Sequence, residues 1–228
     1  GEGLSVERAC PERAKRVERP ALSEGSESKG RLLVATTNTG KLREIRSLLA
    51  GIPVELVTLR DLASIDEPEE TGLTFAENAR LKALYYFAHT GITTVAEDSG
   101  LVIDGLEGEP GVHSARFLRP DASYPERFAE IFQRLSGPPE KNRAARFVCT
   151  LAVAREGQII YEAQGTVEGE IAREARGSAG FGYDPIFFYP PYGSTLADVS
   201  EEAKLAVAHR GQAFRKLASW LAALPTLN

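Results

Sequence analysis

The sequence predicts an α/β fold, because short apolar strands alternate along the chain with amphipathic helices. Residues 31–35 form an apolar run typical of a buried strand, and a helical stripe of apolar residues begins shortly after it at Leu42. Thr74 and Ser123 each precede a Glu by three positions, which is the spacing of a capping box that opens a helix. With 228 residues, the chain is long enough to bury the core that this fold requires.

Further strands are predicted from the remaining apolar runs. Residues 52–57 are predicted as the second strand, and residues 147–153 are apolar on both faces, which is typical of a central strand. Residues 159–163 and 166–173 predict two strands separated by a break at Gly165. This spacing favours an antiparallel hairpin or meander in the second half of the chain.

The most informative stretch is Ala96–Leu101, which reads Ala-Glu-Asp-Ser-Gly-Leu between two apolar β-branched runs. We expect the strand to break into a turn at Ser99 and Gly100, with Glu97 and Asp98 at its end. Carboxylates beside an apolar strand are costly unless a cation or hydrogen-bond donors compensate them, and Asp is depleted in strands. The stretch therefore indicates a catalytic or metal site, and the alternative is a plain turn with an Asx-type hydrogen bond.

A small polar loop joins the first strand to the first helix. Its residues are Thr36, Thr37, Asn38, Thr39, Gly40 and Lys41. Such a loop offers an anion backbone N–H groups and the positive end of the helix dipole, and Lys41 adds a charge. It is not a Walker A motif, because Leu42 stands where Ser or Thr would follow Gly-Lys. The alternative is simple capping of the helix by Asn38 or Thr39.

Three further segments carry side chains suited to a ligand site. Asn78 and Lys82 are four residues apart and share a helix face, although a helical Lys is usually just solvated. Residues 177–187 combine glycines with aromatic rings on which a base can stack, and the alternative is an aromatic-rich turn. His209 and Arg210 stand at a helix start, where cations oppose the dipole unless a ligand offsets the cost.

Composition and charge narrow the class of protein. The net charge of −5 gives no basic footprint, which argues against duplex nucleic acid or an anionic membrane as a partner. No apolar run approaches the roughly 20 residues of a membrane span. Cys10 and Cys149 support neither a disulfide framework nor a zinc site, so we expect a reducing, cytoplasmic setting. Residues 1–30 are rich in Glu, Arg, Ser, Gly and Pro, and predict a flexible extension ahead of one domain over residues 31–228.

Taken together and in this order, the motifs resemble the inosine triphosphate pyrophosphatase family of Ham1 type. The matching stretches are TTNTGK (36–41), EETGLTFAENARLKA (69–83), AEDSGL (96–101), GFGYDPIF (180–187) and K-x4-HRG (204–211). The resemblance covers residues from about 31 to 222. It implies hydrolysis of noncanonical purine nucleoside triphosphates (ITP, dITP and XTP) to the monophosphate and pyrophosphate. It also implies an elongated α/β structure with a long mixed β-sheet and flanking helices, two lobes around a central cleft, and a homodimer.

The resemblance also assigns roles to the matching residues. Asp98 would activate the water that attacks the α–β phosphate linkage, and Lys41 and Lys82 would bind the phosphates. Mg²⁺ would bind Asp98 and Glu70, with Glu69 as a further candidate ligand. The implied substrate-binding residues are Thr36, Thr37, Asn38, Thr39, Gly40, Lys41, Ser99, Phe181, Gly182, Tyr183, Asp184, Lys204, His209 and Arg210. Of these, residues 181–184 would stack on and border the purine, and the last three would recognise its 6-oxo edge.

Some positions depart from the family pattern. Glu97 stands where the family usually has Asp, and Asp198 stands where it usually has Glu. Ala208 replaces a Ser, and His113 replaces a Tyr. Because none of these is a phosphate lysine or a base-recognising residue, we expect activity to survive and selectivity to be the property most affected.

Rival functions fit the residues less well. A glycosidase with paired carboxylates would leave the lysines without a purpose. A nucleotide-binding protein without activity would be expected to lack Asp98 or Lys41, and both are present. The related Maf-type pyrophosphatases share the fold, but the pair His209-Arg210 argues against them.

Overall fold

The computed structural model describes residues 30–227, which form one mixed sheet of seven strands with helices packed on it. The strands are β1 (Arg31–Val34), β2 (Glu55–Thr58), β3 (Thr94–Ile103), β4 (Ala144–Arg155), β5 (Gln158–Ile171), β6 (Phe187–Tyr189) and β7 (Ser194–Thr195). The α-helices are α1 (Thr39–Leu48), α2 (Phe75–Thr90), α3 (Tyr124–Leu135), α4 (Glu201–Val207) and α5 (His209–Ala223). The predicted α/β class and mixed sheet are confirmed. Apart from Gly30, the predicted N-terminal extension lies outside the described residues.

The sheet has the strand order β2-β1-β3-β4-β5-β6-β7. β1 pairs in parallel with β2 and β3, as expected where helices connect successive strands. β3 and β4 pair in antiparallel fashion from Thr94 to Ile103, and β4 and β5 are antiparallel as well. β3 is therefore the junction between the parallel and antiparallel parts of the sheet, and Glu97, Asp98 and Ser99 lie in its middle.

Three apolar cores surround the sheet. Val95 of β3 packs into the core formed with α1 and α5, while its neighbour Ala96 packs into the core formed with α2. The two residues enter different cores because successive side chains of a strand point to opposite faces. Leu101 and Ile103, farther along β3, belong to a third core with α3. The middle of β3 thus lies between two lobes, one containing α3 and the other containing α1, α2 and α5.

The predicted turn at Ser99-Gly100 is wrong, because β3 continues through both residues. A Cβ atom on Gly100 would lie 2.4 Å from Ser114 Oγ and 2.5 Å from the Gly111 carbonyl oxygen. Ser114 Oγ accepts a hydrogen bond from the Leu101 N–H at 2.9 Å. Gly100 therefore lets residues 111–114 pack closely against the strand, and it does not form a turn.

The predicted break at Gly165 is also wrong, because β5 is one strand that pairs with β4 from Gln158 to Glu170. A Cβ atom on Gly165 would lie 2.0 Å from the His209 carbonyl oxygen, so glycine here admits the first turn of α5. The second strand is shorter than predicted, since β2 begins at Glu55 and the three preceding residues form an irregular connection.

The predicted helix starts are confirmed at α2 and α3. Thr74 and Glu77 form a reciprocal capping box at α2, and Ser123 and Glu126 form the same arrangement at α3. α2 ends at Thr90 and is followed by Gly91, whose left-handed φ of 65° is the usual conformation after a helix C-terminus. Over residues 30–227, no helix is both long and apolar enough to cross a membrane.

Candidate active site

A cleft with a volume of about 300 Å³ opens over the middle of β3. The predicted site residues in its wall are Thr36, Thr37, Asn38, Lys41, Glu70, Lys82, Ser99, Phe181, Gly182, Tyr183, Asp184, Lys204, His209 and Arg210. Residues that are far apart in the sequence therefore share one cavity, and its size suits a small molecule.

The loop before α1 forms one end of the cleft. The Asn38 side chain caps α1 and accepts a hydrogen bond from the Lys41 N–H at 3.1 Å. The Thr37 hydroxyl donates to Glu67 Oε1 at 2.6 Å, which ties this loop to the one before α2. Capping does not compete with anion binding, because the Asn38 side chain occupies one N–H group and the first turn of a helix has four.

Glu97 is buried and is the counter-ion of two cations. Its Oε1 lies 2.8 Å from Lys41 Nζ and 3.5 Å from Arg210 Nη2, and the Cys149 thiol donates to its Oε2 at 3.4 Å. Burial opposes ionisation, but the charges of Lys41 and Arg210 hold the pKa of Glu97 well below its ordinary value. Since adjacent strand residues point to opposite faces, Glu97 and Asp98 do not share these partners.

Asp98 projects toward α2. Its Oδ2 accepts a hydrogen bond from Asn78 Nδ2 at 3.0 Å, its Oδ1 accepts one from the Ser99 N–H at 2.9 Å, and Lys82 Nζ lies 3.9 Å from Oδ1. Burial raises the pKa of Asp98 above its ordinary value, and Lys82 and Asn78 oppose this effect. A buried carboxylate that oriented donors hold in place is suited to accept a proton or to bind a cation.

Glu70 lies in the cleft wall between two cations. Its Oε1 accepts a hydrogen bond from Lys82 Nζ at 2.7 Å, and its Oε2 accepts one from Arg116 Nη1 at 3.0 Å. Burial opposes ionisation, but Lys82 and Arg116 lower the pKa of Glu70. Conversely, the charges of Asp98 and Glu70 raise the pKa of Lys82 against the effect of burial. Lys82 therefore connects the two carboxylates that the motifs assign to a metal.

The other end of the cleft is aromatic and basic. The Phe181 ring has Lys204 Nζ at 4.5 Å and Arg210 Cζ at 5.5 Å from its centroid. Asp184 Oδ2 accepts hydrogen bonds from the Phe181 N–H at 2.8 Å and from Lys204 Nζ at 2.7 Å. Arg210 Nη2 also donates to Ser99 Oγ at 3.0 Å. A ring face beside fixed cationic donors suits a flat heterocycle that carries an acceptor oxygen.

Glu44 is a site residue that the sequence reasoning missed. It is 2% exposed on α1, and its carboxylate accepts hydrogen bonds from Lys204 Nζ at 2.8 Å and from Arg210 Nη1 at 2.6 Å. It follows Lys41 by three positions and therefore shares a helix face with it, which is the signal that could have identified it. Through Glu44, the helix that starts at one end of the cleft holds the cations at the other end.

His209 lies in the wall beside these cations. It is 6% exposed and stacks on Phe147 with a centroid distance of 4.9 Å. Burial and the charge of Arg210 hold the pKa of His209 well below its ordinary value, so the ring is neutral at pH 7. Within residues 30–227 its Nδ1 is buried and has no hydrogen-bond partner.

Some predicted site residues lie outside the cleft wall. Asp98 is not part of the wall, although its partner Lys82 is, and Gly40 packs under Phe181, whose ring carbon would be 3.0 Å from a Cβ atom at that position. Thr39 and Glu69 are exposed and do not line the cleft. Glu69 and Glu70 are both predicted as metal ligands alongside Asp98, and of these two Glu70 lines the cleft.

Known proteins are similar to this chain in sequence and in fold. The model of the Ham1 family matches residues 32–220. A dITP/XTP pyrophosphatase from Geobacter sulfurreducens is 46% identical over 187 residues, which cover 82% of this chain and 94% of that protein. The structure of a HAM1 protein from Coxiella burnetii matches with a TM-score of 0.80 and 36% identity, covering 86% of this chain and 100% of that one. A dITP/XTP pyrophosphatase structure from Mycobacterium abscessus has a TM-score of 0.66 and 41% identity over 86% of this chain and 100% of that one. The chain therefore belongs to the Ham1 family.

Proposed function

We propose that this chain hydrolyses noncanonical purine nucleoside triphosphates such as ITP, dITP and XTP to the monophosphate and pyrophosphate. The observation that carries the proposal is that one cleft joins a basic end around Phe181 to an end where Lys82 connects Glu70 and Asp98. The first end suits a purine base, and the second suits phosphoryl chemistry. The relatives from Geobacter sulfurreducens and Mycobacterium abscessus, both named dITP/XTP pyrophosphatases, support the same reaction.

We propose Mg²⁺ as the cofactor, with Glu70 and Asp98 as its protein ligands. Both carboxylates reach Lys82 Nζ, at 2.7 and 3.9 Å, so they converge on a region that one cation can share. Mg²⁺ prefers carboxylate oxygens, and one or two of them suffice where phosphates and water complete its shell. Residues 30–227 contain no cluster of three or more His, Cys, Asp or Glu side chains suited to a metal. When bound, Mg²⁺ would neutralise phosphate charge and lower the barrier to attack.

The side chains of the cleft supply the remaining chemistry. Asp98, which Asn78 orients, accepts the proton of the water that attacks the α-phosphorus. The bond between the α-phosphorus and the bridging oxygen breaks, and pyrophosphate leaves. Lys41 and Lys82 bind the phosphate oxygens and offset the charge that develops in the transition state. The loop at the start of α1 orients the triphosphate through its N–H groups.

Selectivity for a 6-oxo purine follows from the donors at the base end. Arg210 and Lys204 can donate hydrogen bonds but cannot accept them, and Glu44 holds both in position. A 6-oxo group accepts from these donors, whereas the 6-amino group of adenine would remain unpaired against them. An unpaired buried polar group costs about 1–3 kcal/mol, which corresponds to about one or two powers of ten in kcat/KM.

We also propose that the pyrophosphatase domain spans residues 31–228 and acts as a homodimer in the cytoplasm. These proposals rest on the family resemblance and on the composition. The departures at Glu97, Ala208 and His113 are proposed to affect selectivity rather than activity.

The test compares kcat/KM for ITP, dITP and XTP with kcat/KM for ATP, in Mg²⁺ and in EDTA. We expect the first three substrates to be favoured over ATP by about one or two powers of ten, and EDTA to abolish turnover. Equal turnover of ATP would contradict the proposed base site. Turnover in EDTA would contradict the proposed metal requirement.

A further inference from the structure

We propose that Arg116 is a third cation of the triphosphate site, and that Glu70 holds it in place until the substrate binds. The inference rests on the proposed function, because it assigns a further residue to the same triphosphate. The sequence motifs give Arg116 no role, and its position in the structure supplies one.

The geometry leaves part of the Arg116 guanidinium available to a ligand. Arg116 belongs to the cleft wall, and its side chain is 44% exposed. Its Nη1 donates to Glu70 Oε2 at 3.0 Å. In the described part of the chain, Nε and Nη2 make no hydrogen bond to protein, so two donors of the planar fork can meet a phosphate. The fork of Arg matches the oxygens of a phosphate group and commonly binds it in a bidentate manner.

Glu70 explains both how Arg116 is positioned and how it becomes free. The carboxylate receives Lys82 on one oxygen and Arg116 on the other. In the proposed function this carboxylate would hold Mg²⁺, and Lys82 and Arg116 would then be left to bind the phosphate oxygens. Arg116 can therefore transfer from Glu70 to phosphate with a small movement of an exposed side chain.

The charges in the cleft indicate that a further cation is needed. The two positive charges of Mg²⁺ would be balanced by Glu70 and Asp98, its own ligands. Lys41 already faces the buried Glu97 at 2.8 Å, which reduces its excess charge toward a ligand. Lys82 would then be the main side-chain cation that faces the negative charge of the triphosphate. Arg116 is the cleft cation next to it, because both share Glu70.

Arg119 provides a matched control in the same segment. Its side chain is 46% exposed and pairs with Asp121 and Glu126, much as Arg116 pairs with Glu70. Arg119 does not line the cleft. If Arg116→Gln weakens phosphate binding and Arg119→Gln does not, the cause is the position of Arg116 in the cleft. The loss of one exposed positive charge is common to both variants and cannot explain the difference.

The test is calorimetric titration of the full chain with inorganic tripolyphosphate in EDTA, where neither a base nor a metal contributes. Under these conditions the Nε and Nη2 donors of Arg116 can bind phosphate while Nη1 stays on Glu70. We expect Arg116→Gln to weaken binding about ten- to a hundredfold, and Arg119→Gln to stay within about twofold of the wild type. Arg116→Lys should bind less tightly than the wild type, because it keeps the charge and loses the fork. In turnover assays, Arg116→Gln should lower kcat/KM for ITP and ATP alike and leave their ratio unchanged.

Wild-type affinity for tripolyphosphate in Arg116→Gln would overturn the inference, since Arg116 would then only support Glu70. Absence of binding to the wild type would overturn it as well. If Arg116→Gln does not fold, Arg116→Lys decides, and wild-type affinity in that variant overturns the inference. Failure of the proposed function is a separate result: the wild type would bind tripolyphosphate through Arg116 but would not hydrolyse ITP.

Discussion

Glu44 and Arg210 form a buried ion pair, with Glu44 Oε2 2.6 Å from Arg210 Nη1 and each side chain 3% exposed. The second oxygen of the same carboxylate binds Lys204 at 2.8 Å. Glu44 belongs to α1, whose N-terminus forms the proposed phosphate loop. One helix therefore sets the distance between the phosphate end and the base end of the cleft.

Glu44→Gln keeps the shape of this side chain and removes its charge. Loss of one partner from a buried ion pair costs about 3–5 kcal/mol, so we expect the free energy of unfolding to fall by about that amount. Arg210 and Lys204 lose their common anchor, and the ratio of ITP to ATP turnover should fall. The control is Glu201→Gln, since Glu201 is the exposed partner of Arg43 and its loss should cost less than about 1 kcal/mol. An unchanged turnover ratio in a folded Glu44→Gln would contradict the positioning role.

Asn78→Ala tests the orientation of Asp98. The Asn78 amide is fixed at both ends, because its Oδ1 accepts from the Gly72 N–H at 2.8 Å and its Nδ2 donates to Asp98. A hydrogen bond to a charged group contributes about 1.5–3 kcal/mol, so we expect kcat for ITP to fall about tenfold or more, with a smaller change in KM. Gly72→Ala should have the same effect, because its Cβ would lie 2.6 Å from Asn78 Oδ1. Normal kcat in both variants would show that Asp98 needs no such support.

His209 predicts a dependence of stability on pH. Burial and Arg210 lower its pKa in the folded protein, whereas an unfolded His titrates near its ordinary value of about 6.5. The unfolded state therefore binds the extra proton, and the free energy of unfolding should decrease as the pH falls below about 6.5, by at most about 1.4 kcal/mol per unit. The low pKa of Glu97 acts in a separate window, below its ordinary unfolded value of about 4.3. Urea unfolding between pH 5 and 7 should show a weaker pH dependence in His209→Asn, and parallel profiles would contradict this assignment.

Gly165→Ala tests the contact between β5 and the start of α5. The added methyl group would meet the His209 carbonyl oxygen at 2.0 Å, so the helix start has to move. We expect a loss of about 1–3 kcal/mol in the free energy of unfolding and a lower kcat/KM for ITP, because Arg210 moves with the helix. Gln158→Ala, an exposed substitution at the start of the same strand, is the control and should leave both quantities nearly unchanged. Wild-type activity in Gly165→Ala would show that the helix start tolerates the shift.

The capped helices were predictable because their signals are local. The capping boxes at Thr74 and Ser123 lie within four residues, and each opens the helix that it predicts. Gly100 and Gly165 were misread because glycine gives the same signal for a turn as for close packing. Gly100 is explained by its contact with Ser114, and Gly165 by its contact with the His209 carbonyl. Neither contact is with a sequence neighbour.

In the cleft, too, residues with a local sequence signal were predictable, and residues that act through distant partners were not. Motifs assigned Asp98, Lys41 and Lys82, which are residues expected to touch the substrate. Glu44 acts through partners 160 and 166 residues away, so no local pattern could reveal its ion pairs. Glu97 and Asp98 look like one acidic pair in the sequence, but strand geometry sends them to opposite faces and gives them different partners.

The most direct test of the proposed reaction is to identify the products formed from ITP in Mg²⁺ by the wild type and by Asp98→Asn. We expect the wild type to release inosine monophosphate and pyrophosphate, and a folded Asp98→Asn to be inactive. Release of orthophosphate and the diphosphate would contradict attack at the α-phosphorus. Undiminished turnover by Asp98→Asn would contradict the role of Asp98 as the base.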